Sequence, residues 1–352
     1  MKAAVRVYKW IIISVFLQVA VLCFINFVYL SHDETIKATS YEISDKPKKD
    51  VSMKLPEDAS EAKVSFDGSY VGYMRDRKLE IVDLQTQKVK KTINESMDNL
   101  TYYRWLPDSN MVIYSISSQD NKPGNVQIYT YDVDTDVERN YPKISNLPKE
   151  SRVEDIELSP QTNVIYAKIR TGPSQTQIYK FNIMNNLSYI MTATADIEIK
   201  ETSFSDKLVY QDSKGRLFVR NGLQNATSQL QFKNRMALLE IDAEDKIYVG
   251  ELDEQDRVVK IYYGKLSSTQ SEKTWTEVSL QTPVESRNIF ITRSGNIYEI
   301  VDSEKTAYKI GGSGKITYKG DVVEILDDYI VTKDGQEIKL TAIDPESEKL
   351  KK

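Results

Sequence analysis

The chain has 352 residues, 40% of them hydrophobic and 28% charged, a balance that fits a folded domain and not an intrinsically disordered one. Its formal net charge is −5, and residues 1–30 carry +3, which leaves −8 for the rest; so acidic a domain has no electrostatic footprint for phosphate backbones and argues against nucleic acid as a partner. A single cysteine, Cys23, and a single histidine, His32, exclude an internal disulfide, a histidine-based catalytic triad and Cys/His zinc patterns.

Residues 10–30 read WIIISVFLQVAVLCFINFVYL, with no charge and only Ser14, Gln18 and Asn26 clearly polar. About 20 helical residues span a ~30 Å hydrocarbon core, so this run predicts a transmembrane helix. A cleaved signal peptide would have a shorter apolar core and an A-x-A-like site, and Val28-Tyr29-Leu30-Ser31 is a poor one. Trp10 and Tyr29 stand at the two ends, where amphipathic rings favour the interface. Lys2, Arg6 and Lys9 precede the run, while Asp33, Glu34, Glu42 and Asp45 follow it against Lys37. The positive-inside rule then makes 1–9 a cytoplasmic tail and puts everything after residue 30 outside. Cys23 follows Leu22, where a lipoprotein carries a small residue, so it reads as a small hydrophobe. Gln18 and Asn26 read as tolerated polar positions more than as contacts to a partner helix. Residues 31–50, ending in Lys46-Pro47-Lys48-Lys49-Asp50, read as a polar stalk.

Beyond the stalk one pattern recurs: an apolar strand, a polar turn often containing Asp, and a second strand ending near Tyr. It appears at 64–74 (VSFDGSYVGYM), 104–116 (RWLPDSNMVIYSI), 156–169, 203–212, 239–252, 289–301 and 323–334. Most copies are followed by a second hairpin, such as LEIVDLQTQKVKKTI at 79–93, IYTYDVDTDVERNY at 128–141 and IYKFNIMNNLSYIM at 178–191. Two hairpins per copy make four antiparallel strands, at the ~40–50-residue spacing of a propeller blade. The 22 tyrosines suit such half-buried pleated strands. The predicted fold is therefore all-β: a seven-bladed β-propeller over 51–340 behind one N-terminal transmembrane helix, with a six-bladed ring as the alternative. The seventh copy ends near Leu340 without its fourth strand, and residues 51–57, VSMKLPE, are expected to supply it and close the ring. Residues 341–352 read as a disordered tail.

The phrases FDGSYVGYM, LPDSNMVIY and IYTYDVDT resemble the blades of TolB-like and dipeptidyl-peptidase-type (WD40-like) propellers, whose repeats carry S-P-D-G turns and a Y-x-x-D-x-x-T hairpin. Only some copies keep the Asp, and the full S-P-D-G turn never appears. The resemblance implies the fold and says little of function. The peptidases among these propellers carry a separate hydrolase domain, for which this chain has no room.

Four weaker signals have bland readings. Asp132-Val133-Asp134-Thr135-Asp136 suggests a calcium loop, but Val137 and Lys143 stand where an EF-hand needs Gly and Glu, so a hairpin turn is expected. Glu251 with Asp253-Glu254-Gln255-Asp256 is compact and acidic, and reads as a solvated loop more than as paired carboxylates. Arg75-Asp76-Arg77-Lys78 is the most basic loop and again reads as a turn. His32 reads as a solvated juxtamembrane residue, and the sequons at Asn94, Asn99, Asn186 and Asn225 matter only in a glycosylating host. No catalytic, cofactor-binding or metal-binding residue is assigned, and no cofactor is expected. The expected function is a non-enzymatic binding or scaffold component of a bacterial cell envelope, in the setting of envelope or polysaccharide assembly. Its partner would be an envelope protein or glycan. The alternative is a carboxylate-dependent enzyme acting on envelope carbohydrate.

Overall fold

The computed structural model describes residues 2–24, 48–93, 99–117, 124–182, 184–266, 275–312 and 314–343. They divide into two units at Lys46/Pro47. The first holds helix α1, Lys2–Phe24. Its described side chains from Tyr8 to Leu22 are all exposed, Phe16 at 77% and Trp10 at 70%. Among the described residues no helix is long and apolar enough to cross a membrane. The expected span at 10–30 overlaps α1, which starts earlier, and its part from Ile25 to Leu30 lies outside the described residues, as do His32 and most of the expected stalk.

The second unit is a seven-bladed propeller. Its described residues form seven antiparallel sheets in ring order: 60–93, 99–147, 152–194, 198–230, 236–285, 289–317 and 321–342. Each has four strands except the second, where Val137–Asn140 and Ile144–Leu147 both pair with Gly124–Asp132. All seven recurring segments of the sequence are the hairpin between a blade's first and second strands. The last blade takes its fourth strand from the other end of the ring. Strand β1, Val51–Lys54, pairs with the strand Glu337–Ala342, in the register Val51 to Leu340 and Met53 to Ile338.

Alternation of side chains puts two apolar faces on each blade, and neighbouring blades bury them against each other. Seven apolar clusters result, one per interface. Between blades 1 and 2, Leu79 and Ile81 meet Tyr103, Trp105 and Val112. The seventh cluster joins Val64 and Val71 of blade 1 to Tyr329, Ile338 and Leu340 of blade 7, with Met53 and Leu55 of the closing segment. A cluster at this last interface means that no blade face is left open. The outer strand of blade 1, Lys88–Ile93 (KVKKTI), is short and rich in lysine, which blunts edge-to-edge pairing. At the turn of the first copy Gly68 has φ +76, and a Cβ there would lie 2.8 Å from the Tyr329 ring; the glycine lets blades 1 and 7 approach.

Candidate functional site

The first strands of all seven blades surround a cavity of about 820 Å³. In each repeat one backbone amide closes the turn after the first strand, beginning with Ser65 in blade 1 and Leu106 in blade 2. The residue two positions before that amide lines the cavity in every blade: Lys63, Arg104, Glu157, Lys200, Glu240, Phe290 and Glu324. Because side chains on a strand alternate, this equivalent position presents one side chain per blade to the channel. Six of the seven are charged, so the channel wall is an ionic girdle.

The girdle is internally bonded. The Arg104 Nη1 donates to Glu157 Oε1 at 2.8 Å and to the Ile156 carbonyl at 3.1 Å. The Lys200 Nζ lies 2.9 Å from Glu240 Oε2 and 3.4 Å from Glu157 Oε1. An alternating series thus runs through blades 2, 3, 4 and 5. Across the closing interface, the Val64 amide donates to Glu324 Oε1 at 2.6 Å. Lys63 donates to the Tyr103 carbonyl at 3.2 Å. Just off the girdle, the Tyr102 hydroxyl donates to Asp155 Oδ1 at 3.1 Å.

These neighbours set the protonation states. Glu157 above all holds the Arg104 guanidinium well above its usual value. Burial would raise Glu157, but Arg104 and Lys200 outweigh it and keep this carboxyl below the usual range. Burial would lower Lys200, yet Glu157 and Glu240 raise it. Burial, then the Glu157 charge, pushes Asp155 up. Burial pushes Glu324 up to about 7 against the Val64 amide and Lys63. Lys63 itself is lowered, by burial and then by Arg104. The channel therefore combines a fixed set of ion pairs with one carboxyl, Glu324, that titrates near neutral pH.

The loops singled out in the sequence lie apart from this wall. Asp132 accepts from the amides of Asp134 and Thr135, and the Tyr131 hydroxyl donates to Asp136 at 2.8 Å; the stretch is the hairpin turn expected of it. Asp253 accepts from the Gln255 and Arg257 amides and from the Arg257 guanidinium, while Asp256 pairs with Arg235. Arg75 pairs with Asp58 and Glu80, and Asp76 and Arg77 take positive φ in a tight hairpin. Asn225 also takes a turn φ of +54, Asn186 follows a turn held by Asn182, Asn99 opens a strand, and Asn94 is outside the described residues. Reading those loops missed the girdle. Its signal was in the sequence: a charge at the same place in six of seven repeats.

No protein-family model matches the sequence, and no curated protein matches it either. Comparison with solved structures gives the β-propeller domain of Myceliophteria thermophila Cps50 (Swd1), at 11% identity and a TM-score of 0.54, covering 84% of this chain and all of that one. The fold is that of the β-propellers. A prolyl endopeptidase structure matches at 13% identity and a TM-score of 0.48, covering 74% of this chain and 42% of that one. KlHsv2, with a loop replaced by a Gly-Ser linker, matches at 13% and 0.48, covering 78% and 88%. Identities this low speak for the fold alone, since one propeller architecture hosts many unrelated functions.

Proposed function

We propose that this protein is a membrane-anchored, extracytoplasmic propeller that binds or scaffolds components of a bacterial cell envelope and turns over no substrate. The observation that carries the reading is the surface of α1. Its sequence has no charge from Trp10 to Phe24 and stays uncharged to Leu30, and its large apolar side chains are exposed. A sleeve of that kind needs an apolar surrounding, and lipid supplies one. Lys2, Arg6 and Lys9 on one side favour a cytoplasmic N-terminus. Tethering would raise the propeller's effective concentration toward a membrane-bound partner, an envelope protein or glycan in envelope or polysaccharide assembly. The absence of turnover is supported by the girdle, whose strongest charges neutralise one another. The turn phrases support a place among TolB-like propellers.

Protease added to intact cells tests the topology. The expected result is loss of the propeller with the cells unbroken. Full protection, or release of a mature chain starting near residue 31, would refute the anchor.

One observation favours a second reading, a carboxylate-dependent enzyme on envelope carbohydrate. Glu324, at about 7, shares the cavity with Glu157, which is held ionised. A protonated and an ionised carboxyl in one site are the pair that glycoside hydrolysis uses. Saturable turnover of cell-wall glycan, abolished by Glu324→Gln, would establish it.

A further inference from the structure

In an antiparallel meander the turns after the first and third strands stand at the same edge. Around the ring the first turns are bonded to one another. Asn110 donates to Asp67 at 3.1 Å, the Ser159 hydroxyl to the Ser203 carbonyl at 2.6 Å, the Phe204 amide to Asp245 at 3.2 Å and the Ser294 amide to Asp327 at 2.9 Å. These turns therefore make one face of the propeller. Among the described residues of the propeller, the three most exposed large apolar side chains all stand on that face, on the neighbouring blades 3 and 4: Leu223 at 85%, Met184 at 77% and Phe204 at 62%. Their turns are joined, because the Lys180 ammonium donates to Asp206 and, at 3.3 Å, to the Gly222 carbonyl. Each tip is also held in place. Asn182 accepts from the Met184 amide and Asn221 from the Leu223 amide, both at 3.0 Å, as Asp245 does from Phe204. Exposed apolar side chains scattered singly are ordinary, but three on linked, hydrogen-bonded turns mark an interaction surface.

We propose that this turn face of blades 3 and 4 rests on a lipid surface and inserts Met184, Phe204 and Leu223 among the headgroups. The inference rests on the membrane-anchor reading of α1. Three observations favour lipid. The turns 159–163, 182–186, 202–206 and 222–225 hold one charge, Asp206, which is buried and paired with Lys180, so no exposed charge has to be desolvated there. The chain arriving from α1 enters the propeller at this same face. Lys48 pairs with Asp328, in the first turn of blade 7, at 2.9 Å, and Asp50 accepts from the Ala342 amide at 3.0 Å. Finally, three protruding side chains fall well short of the ~800 Å² per partner that a stable protein interface needs, whereas an anchored domain turns a weak partition into an effective one. The neighbouring turns, VDTD at 133–136 in blade 2 and DAED at 242–245 in blade 5, carry acid and no base. The attraction is therefore apolar and not to anionic headgroups.

The test uses the full chain in a Cys23→Ser background, with a nitrobenzoxadiazole label at one of two positions. Gln224→Cys lies beside Leu223. Lys214→Cys lies in the turn after the second strand of the same blade, on the opposite face. The chain is reconstituted into phosphatidylcholine vesicles, and its flotation with them reports the anchor by itself. Doxyl-labelled phosphatidylcholine is expected to quench the label at 224 at least three-fold more than the label at 214. Met184→Ser, Phe204→Ser and Leu223→Ser together alter only exposed side chains, so the urea midpoint should hold while quenching at 224 falls to the level at 214.

Equal quenching at the two positions, or quenching at 224 that survives the triple variant, overturns the lipid contact and leaves the anchor standing. A chain that does not float overturns both. Quenching that requires added phosphatidylglycerol overturns the proposal as well, since charge would then drive the contact. So does a dimer in detergent that the triple variant converts to a monomer, which assigns the three tips to a second copy of the chain.

Discussion

Ring closure is the part of this fold that a small perturbation tests best. Met53 and Leu55 are 7% and 2% exposed and pack with Tyr329, Ile338 and Leu340 at the interface of the first and last blades. Ser52 and Lys54, on the other face of the same strand, are exposed. Replacing a buried Met or Leu by Ala costs about 2–5 kcal/mol. The two sites share one cluster, so their effects should combine less than additively, to about 4–7 kcal/mol for Met53→Ala with Leu55→Ala. Set against a typical total of ~5–15 kcal/mol, that loss is large. Lys54→Ala keeps the backbone ladder and buries nothing new, and should stay within about 0.5 kcal/mol. Deleting 51–55 would also remove the pairing to the strand Glu337–Ala342 and the bond from the Leu55 amide to the Gln336 carbonyl, leaving an open edge. Urea unfolding followed by far-UV circular dichroism measures all four proteins. If the double variant unfolds at the same urea concentration as Lys54→Ala, closure contributes nothing and the reasoning fails.

Two further outcomes follow from the girdle. Glu324 titrates at about 7 in the folded chain and near 4.3 when unfolded. The folded state thus keeps a proton that the unfolded chain gives up, so this group's stabilisation is complete below its ordinary pKa and is lost as pH rises toward 7. The slope has a ceiling of about 1.4 kcal/mol per pH unit, reduced because the side chain touches channel water, and Glu324→Gln should flatten it in unfolding measured between about pH 5 and pH 7. Lys200→Met removes the cation shared by Glu157 and Glu240 and should destabilise by about 1.5–3 kcal/mol; adding Glu240→Gln should restore part of the loss, and a double variant less stable than the single one would contradict the shared pairing.

The blades were legible because their signal is local and repeated. Each copy places its turn between two apolar strands, as FDGSYVGYM and LPDSNMVIY do, and seven copies over one ring fix the blade count. The closing strand was legible from a deficit, since the last copy ends three strands in and Val51–Lys54 had no other partner. The channel was less accessible, for a physical reason. A charge such as Glu157 or Glu240 in a strand normally marks a solvent face, and nothing local says that the water it meets is enclosed. Only the equivalence of Lys63, Arg104, Glu157, Lys200, Glu240 and Glu324 across repeats reveals one wall.

The girdle and the closing strand act on the same weak point from two radii. A ring assembled from one chain has one interface, blade 7 to blade 1, at which consecutive strands do not continue from one blade into the next. At the outside β1 crosses it with four paired residues. At the channel the Val64 amide of blade 1 donates to Glu324 of blade 7. Between them lies the cluster of Met53, Leu55, Val64 and Leu340. The inner link has an acceptor whose charge changes near neutral pH, and an ionised carboxylate accepts a stronger hydrogen bond than a neutral one. Ionisation therefore costs desolvation and strengthens the link at the same time. The direction of Glu324, pushed up to about 7 despite the amide, says that desolvation is the larger effect. The outer strand is then the pH-independent part of closure, and the apolar cluster beneath it must carry the ring where the inner carboxyl is least comfortable.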